Sequence, residues 1–473
     1  MPERGPSYER QNPADTSDVL GPFFTAEPAD VERAVASASK VQHAWASRPA
    51  SQRGDVLLRA ADIVRERADG IAAVLTREEG KTLAEAKAEV LAGAQILEFI
   101  GAGGLWSGGR MVDSMRPTTL LYTRRYPLGV VAAITPWNFP FSNPCIKLAS
   151  ALVAGNALVW KPATWTPSTA LALTTCLVDA ALPAGVLSTL LGSGAKVGDQ
   201  LARDSRVRAI SFTGSTEVGR RLAVVLAQRG ARAQLEMGGK NAIVVLDDAD
   251  VETAARATTR AAFLSAGQKC TAASRVVILP GIRKAFLEAL VAETRSLTVG
   301  PPTDAKTDVG PVVHEGPLHE HVAAVASAVQ AGARVVEGGK RLEGNLSKGH
   351  FMAPTILDSV SPDSPAAQDE IFGPVLAVIA AADYAAAVEI TNGTTYGLVA
   401  SVYTRDLPRA LDFAERSEVG VVKINEPPTG LDPHVPTGGW KDSGWGQREL
   451  GPGAFDFFTE EKTVYLNHLG VPR

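Results

Sequence analysis

Cysteine is scarce in this chain, with 3 residues among 473, and none of them is spaced like a metal-binding or redox pair. That excludes a disulfide scaffold and points to a reducing, cytoplasmic setting. No continuous apolar run approaches the about 18 residues of a membrane span. The opening Met1-Pro2-Glu3-Arg4-Gly5-Pro6-Ser7 has no signal-peptide core either. Excess charge of one sign is also missing: 47 Lys+Arg oppose 51 Asp+Glu, a formal net charge of -4, and neither sign forms long blocks. A nucleic acid or anionic membrane is therefore a poor partner, and a small molecule is the expected one. There is no internal repeat, and no low-complexity tract beyond alanine-rich helices such as 381–387.

What is present is length and alternation. A chain of 473 residues exceeds one core, so two or three domains are expected. Helical periods run over 30–47, 51–79 and about 82–100. Strand patterns at 129–135, 157–161, 186–191 and 207–212 then alternate with helical patterns at 144–154, 166–181, 195–203 and 216–229. A second series opens with the strand 242–246, the helix 251–266 and the strand 274–279, and ends near Ile424. The expected fold class is α/β, with two doubly wound parallel sheets. Two β-rich pieces, 118–126 and 463–469, fit neither series. Exposed strands of that kind invite pairing with another chain, the alternative being a surface hairpin.

Of the three cysteines, Cys145 and Cys176 fall inside apolar helical patterns, where an inert core thiol belongs. Cys270 follows Gly267-Gln268-Lys269 at the end of a helical run, beside a lysine and small polar residues, where a reachable thiolate can exist. Alone it is a weak signal, and a buried small residue is the plain alternative. Upstream, Leu235-Glu236-Met237-Gly238-Gly239 sets a carboxylate before two glycines that allow close approach of backbone or ligand. In Thr135-Pro136-Trp137-Asn138-Phe139-Pro140 two prolines stiffen a loop able to aim the Asn138 amide at a developing oxyanion; a turn asparagine is the alternative. The strand 208–212 runs into Gly214 and a helix beginning near Thr216, whose backbone N–H groups can receive a pyrophosphate. The Gly-x-Gly-x-x-Gly fingerprint of an ordinary Rossmann dehydrogenase is absent. Glu370-Ile371-Phe372-Gly373-Pro374 again pairs a carboxylate with an aromatic ring at a bend. His319-Glu320-His321 spreads its side chains around a helix, so a solvated helix and no metal are expected.

Taken in order, Pro136-Trp137-Asn138-Phe139-Pro140, Lys161-Pro162-Ala163, Phe212-Thr213-Gly214-Ser215-Thr216-Glu217-Val218-Gly219, the Glu236 and Cys270 segments and Glu370-Ile371-Phe372-Gly373-Pro374 resemble the aldehyde dehydrogenase superfamily. The resemblance covers about 12–466. It implies a dinucleotide-binding domain from 1–116 and 137–241, a catalytic domain from 242–440, and oligomerisation strands at 117–136 and 455–473. A homodimer or homotetramer follows. It implies that Cys270 adds to an aldehyde carbonyl, that Asn138 and the Cys270 N–H hold the oxyanion, and that Glu236 activates water to free a carboxylic acid from a thioester. It places an NADP or NAD cofactor against Thr135, Trp137, Lys161, Ala163, Thr164, Gly194, Phe212, Gly214, Ser215, Val218, Met237, Glu370 and Phe372. Within that set Ser215 contacts a phosphate, Lys161 the adenosine ribose and Glu370 the nicotinamide ribose, with Trp137 and Phe372 flanking the nicotinamide. The aldehyde pocket would include Phe139, Ser142, Asn143, Lys269, Thr271, His434 and Thr437.

Departures from the family pattern refine this. Many NAD-preferring relatives carry a glutamate where this chain has Thr164, and a neutral hydroxyl there tolerates a 2′-phosphate, so NADP is expected to be tolerated or preferred. Pro144-Cys145-Ile146-Lys147 and Lys423-Ile424-Asn425-Glu426-Pro427 look closest to the α-ketoglutarate semialdehyde (2,5-dioxovalerate) dehydrogenase branch. Yet no arginine follows Asn138 in the next helix to anchor a substrate carboxylate. Thr437 stands where relatives usually have phenylalanine, which opens volume and adds a hydroxyl for a polar or functionalised aldehyde. A loop shifted by the neighbouring prolines is the alternative. A cysteine acyl transferase or hydrolase would need a histidine base beside Cys270, and a silent binding homologue would have lost its reactive residues.

Overall fold

The strand Val130–Ile134 is buried at every position, and each of its faces enters a different core. In the computed structural model, which describes residues 6–106 and 108–468, Val131 and Ala133 pack with residues of the helices Ala50–Glu66, Leu83–Gly103 and Ser142–Val153. Val130, Ala132 and Ile134 pack with Pro28–Ala46 and Thr216–Gln228 on the other side. A sheet covered on both faces needs strands apolar throughout, which is why these segments read as continuous rather than alternating runs. The sheet has six strands in the order Gly444–Trp445, Arg232–Glu236, Val207–Thr213, Val130–Ile134, Ala157–Lys161, Leu187–Thr189. All neighbouring pairs are parallel except the first.

The second sheet follows the same rule. Its seven strands run Arg334–Glu337, Thr355–Asp358, Val375–Ala380, Arg275–Ile278, Ala242–Val245, Val399–Tyr403, Val421–Ile424. They are parallel except for the first pair. Ile243 and Val245 face one core, Ala242 and Val244 the other. The expected pair of doubly wound sheets is therefore the architecture.

Several boundaries move. The helical stretch expected over 51–79 divides at Arg67 into Ala50–Glu66 and Ala68–Glu79. The helix expected over 251–266 ends at Phe263, because Ser265 and Ala266 have φ of 56° and 52°. The piece 117–136, expected as oligomerisation strands, divides at Leu128 and Gly129. Thr119–Pro127 pairs along its length with Thr459–Asn467 and more briefly with Met111–Val112, forming a separate three-stranded sheet. Val130–Ile134 is instead central to the six-stranded sheet. The tail expectation for 469–473 lies outside the described residues.

A hairpin of Ser7–Asn12 and Asp15–Phe24 was not expected. Its strands bury few side chains, so no apolar period announces them. No helix among the described residues is long and apolar enough to cross a membrane.

Chain direction places the site. Thr135, Lys161, Thr213 and Glu236 stand at or just past the carboxyl ends of the first sheet's strands. Asn241, Cys270 and Glu370 precede the strands Ala242–Val245, Arg275–Ile278 and Val375–Ala380 of the second. The seam between the two sheets thus collects loops from both, as open α/β sheets collect ligands at strand ends.

Candidate active site

The chain enters Cys270 through a strained turn. Ser265, Ala266 and Gly267 are consecutive left-handed residues, with φ of 56°, 52° and 69°. Two non-glycine residues there cost on the order of 1–3 kcal/mol each and persist only where neighbours over-determine them. Gln268 is one such neighbour: its Nε2 donates to Ser265 O at 3.2 Å and its Oε1 accepts from Val313 N at 2.9 Å. At Gly267 a Cβ would run into the Gly373 carbonyl, so only glycine allows that approach. Beyond the turn, Asn241 Nδ2 donates to the carbonyls of Cys270 and Ala272 at 2.7 and 2.8 Å.

Asn138, Glu236 and Glu370 surround this loop. Asn138 is buried, and its Nδ2 donates to Gln268 O at 3.1 Å, which leaves the second amide hydrogen for another acceptor. Glu236 is buried at the end of its strand; its Oε2 accepts from Gly439 N at 3.1 Å. Glu370 Oε1 accepts from Gly239 N at 2.9 Å.

The electrostatics correct one expectation. Cys270 does not sit in a thiolate-favouring pocket: burial first, then the carboxyls of Glu370 and Glu236, push its thiol up to about 12. Lys269 does not offset this, because its ammonium turns to Glu85 at 3.9 Å. Burial and the neighbouring Glu449 raise Glu236 to about 8, against the lowering pull of Lys147. Burial raises Glu370 to about 7. Burial thus favours the neutral form of both the Cys270 thiol and the Glu236 carboxyl. Cys145 and Cys176 are buried, with thiols raised above their ordinary value by burial.

The residues expected around a nicotinamide cofactor line the same seam. The Trp137 and Phe372 rings meet edge-on at 5.6 Å, and Phe372 holds φ of 58°. Ser215 is the N-cap of the helix Thr216–Gln228 but spends no side-chain hydrogen bond on the cap, and Val218 lies half-buried in its first turn. Gly214 packs on the Phe212 ring, where a Cβ would clash, and its N–H donates to Glu236 O at 3.0 Å. Met237 lies beside Gly219. Lys161 is buried, and that burial lowers it to about 8. Ala163 is buried and Thr164 half-buried just beyond. Thr135 Oγ1 accepts from Trp160 Nε1 at 2.9 Å, and Gly194 begins an exposed turn capped by Ser193. A free helix N-terminus with an uncommitted serine fits a pyrophosphate, and two half-buried rings fit a flat nicotinamide.

The expected aldehyde pocket is less uniform. Phe139, Ser142, Asn143, Lys269 and Thr271 are half-buried around the Asn138 and Cys270 loops, with Asn143 Nδ2 donating to Thr213 Oγ1 at 3.3 Å. Thr437 is half-buried and pairs with Glu449 through two backbone hydrogen bonds of 2.8 and 2.9 Å. That pairing sets its register two residues before the Gly439 that binds Glu236. His434 is exposed on the preceding loop.

Several residues at the site escaped sequence reasoning. Lys147 Nζ forms a buried ion pair with Glu449 and donates to Ser211 Oγ at 3.1 Å, next to Glu236. A lone lysine inside the otherwise apolar run Ile146-Lys147-Leu148 was the available signal. His321, expected on a solvated helix, is buried against Gly373 and lowered to about 4 by burial, whereas His319 is exposed. Among the described residues no His/Cys/Asp/Glu group could hold a metal.

Residues 1–464 match the model of the aldehyde dehydrogenase family. The chain is 41% identical over 465 residues to an α-ketoglutaric semialdehyde dehydrogenase of Bacillus subtilis, covering 98% of this chain and 95% of the relative. It is 40% identical to a 2,5-dioxopentanoate dehydrogenase of Saccharolobus solfataricus, covering 98% and 96%. A crystal structure of an aldehyde dehydrogenase from Burkholderia cenocepacia superposes with a TM-score of 0.95 at 35% identity, covering 99% and 96%. So does a 3,6-anhydro-L-galactose dehydrogenase in complex with NAP, with a TM-score of 0.95 at 34% identity, covering 98% and 97%. A NAD-dependent aldehyde dehydrogenase from Sinorhizobium meliloti reaches 0.95 at 33% identity, covering 99% and 93%. The chain belongs to the aldehyde dehydrogenase family. It is an oxidoreductase that oxidises an aldehyde with a nicotinamide cofactor.

Proposed function

We propose that this enzyme converts a polar or functionalised aldehyde to the free carboxylic acid, with Cys270 as nucleophile, Glu236 as general base and Asn138 as oxyanion donor. The observation that carries the reading is the convergence of these three on one seam, with the Cys270 thiol raised to about 12 and Glu236 to about 8. A thiol that is neutral at rest needs a nearby acceptor for its proton, and the Glu236 carboxylate is that acceptor. The Cys270 sulfur then bonds to the aldehyde carbon. The carbonyl oxygen takes the negative charge and accepts from the Asn138 amide and the Cys270 N–H. The oxidised nicotinamide, when bound, supplies the hydride acceptor that turns the thiohemiacetal into a thioester. Glu236, having passed the thiol proton on to solvent, next takes a proton from water; the hydroxide adds to the thioester, and as the C–S bond breaks that proton goes to the leaving sulfur, releasing acid and thiol. Glu370 and Lys161 would hold the ribose hydroxyls, and Trp137 and Phe372 the nicotinamide ring.

A cysteine hydrolase is the weaker reading, because among the described residues no hydrogen bond links Cys270 to a histidine. For the cofactor we read Thr164 as permitting a 2′-phosphate, so NADP+ serves at least as well as NAD+. The second substrate reading is α-ketoglutarate semialdehyde, favoured by the names of the two relatives. Against it, Lys147, the one cation on the helix after Asn138, is committed to Glu449. The separate sheet of Met111–Val112, Thr119–Pro127 and Thr459–Asn467 exposes Met111, Leu120, Tyr465 and Leu466. These support a homodimer or homotetramer, and three free thiols suit the cytoplasm.

A panel of aldehydes assayed by reduced-cofactor absorbance with NAD+ and NADP+ tests this. Polar or functionalised aldehydes should outrank simple aliphatics of equal length. A preference for NAD+ of about tenfold or more, roughly 1.4 kcal/mol, contradicts the reading of Thr164.

A further inference from the structure

The start of the helix Leu83–Gly103 lies on the first domain, yet its charged side chains reach both loops that carry the chemistry. Thr82 and Glu85 form a capping box: Thr82 Oγ1 accepts from Glu85 N at 3.3 Å, and Glu85 Oε2 accepts from Thr82 N at 3.2 Å. The other oxygen of the same carboxylate is free to leave the helix. Glu85 Oε1 accepts from Ser265 Oγ at 2.7 Å and lies 3.9 Å from Lys269 Nζ. One carboxylate therefore ties the helix cap to the left-handed turn before Cys270.

The second arm runs through a buried ion pair. Lys81 Nζ donates to Glu89 Oε2 at 2.6 Å and to the backbone oxygen of Asn138 at 2.8 Å, and it lies 4.6 Å from the Phe139 ring centre. Glu89 Oε1 accepts from Phe141 N at 2.9 Å and Ser142 N at 3.1 Å. The loop 138–142 is thus held at both ends by two side chains that are almost fully buried. A buried charge pair is a poor source of stability, since desolvation offsets most of the attraction, and its usual gain is geometric.

We infer that Lys81, Glu85 and Glu89 are positioning residues that set the Asn138 amide against the Cys270 loop, by fastening both loops to one helix end. None of the three hydrogen-bonds to Cys270 or Glu236, so they act through the groups they hold. The inference rests on the oxyanion role proposed for Asn138.

The test is a mutant cycle on the full-length enzyme with bound cofactor. Lys81→Met combined with Glu89→Gln removes the pair without leaving one bare charge. Glu79, which burial raises to about 7, can take up a proton beside the lost ammonium. This variant should lower kcat/KM by roughly 10²-fold, the cost of displacing a reacting group by about 1 Å. It should leave the alkylation rate of Cys270 by iodoacetamide and the Kd of reduced cofactor within about threefold, which a general loosening of the fold would not. In an Asn138→Ala background the same two changes should have almost no further effect on kcat/KM. Multiplicative losses in that background overturn the inference, as do parallel losses in alkylation and cofactor binding. If Asn138→Ala alone leaves kcat/KM unchanged, the oxyanion reading itself fails instead. Glu89→Gln alone keeps an acceptor for Phe141 and Ser142, so it serves if the double variant does not fold, with the same cycle and a smaller loss. Glu85→Gln should slow alkylation and turnover together, and no change in either overturns the arm to the nucleophile turn.

Discussion

The two sides of the seam are built by different physics. On the cofactor side most of the groups are backbone and neutral side chains, namely Gly214, Ser215, Thr164 and the first turn of Thr216–Gln228, and they are half-buried or exposed. Lys161 and Glu370 are the charged exceptions, lowered to about 8 and raised to about 7 by their burial. On the chemical side Cys270 and Glu236 are buried enough to be displaced, to about 12 and 8. The first side recognises by shape and backbone donors. The second creates reactivity by withholding water from charge. Changes on the chemical side should therefore fall on kcat, and those on the cofactor side on KM and on the choice of cofactor.

The largest effect should follow Cys270→Ala, with turnover down roughly 10⁴-fold or more and cofactor affinity unchanged. Residual activity within a factor of ten, measured as aldehyde-dependent cofactor reduction, would remove the thiol from the mechanism. Thr437→Phe should come next, costing roughly 1–3 kcal/mol in kcat/KM for bulky or polar aldehydes while sparing small aliphatic ones. An equal effect on all aldehydes, or none, means that Thr437 does not line the pocket. On the cofactor side, Thr164→Glu should cut kcat/KM for NADP+ roughly tenfold relative to NAD+, since a carboxylate repels a 2′-phosphate. A ratio of the two specificity constants that stays put would sever Thr164 from cofactor choice.

The smallest effect is also the sharpest about electrostatics. Glu236 is raised to about 8, so a step that needs its carboxylate should accelerate as pH rises through that value. Glu449 raises this pKa and Lys147 lowers it. Glu449→Gln should therefore move the kcat profile to lower pH and Lys147→Met to higher pH, each by about one unit. Shifts in the same direction would show that the pair does not act through Glu236.

Much of this difference between the two sides could be read in the sequence, and the unreadable part has a physical reason. Strands buried on both faces announce themselves as apolar runs, so Val130–Ile134, Ala157–Lys161 and Ala242–Val245 fell within a residue of their expected bounds. Segments without a buried face did not: in the hairpin Ser7–Asn12 and Asp15–Phe24 Leu20 is the one buried strand residue. The left-handed turn at Ser265 and Ala266 is held by Gln268 and Glu85, residues whose partners lie up to 180 positions away. Nothing local marks it. The raised thiol of Cys270 was missed for the same cause, because the neighbouring Lys269 turns away to Glu85 while Glu370 and Glu236 arrive from distant loops. The capping box at Thr82 and Glu85, by contrast, is spelled out in four consecutive residues.

The most direct test of the buried acid and base is the first turnover of Glu236→Gln. Stopped-flow mixing of aldehyde with the cofactor-loaded variant should give a burst of about one equivalent of reduced cofactor per chain, formed more slowly than in the parent enzyme because the thiol proton must leave through water, followed by still slower turnover because the thioester then waits for water that is no longer activated. Normal steady-state turnover in that variant would contradict the account.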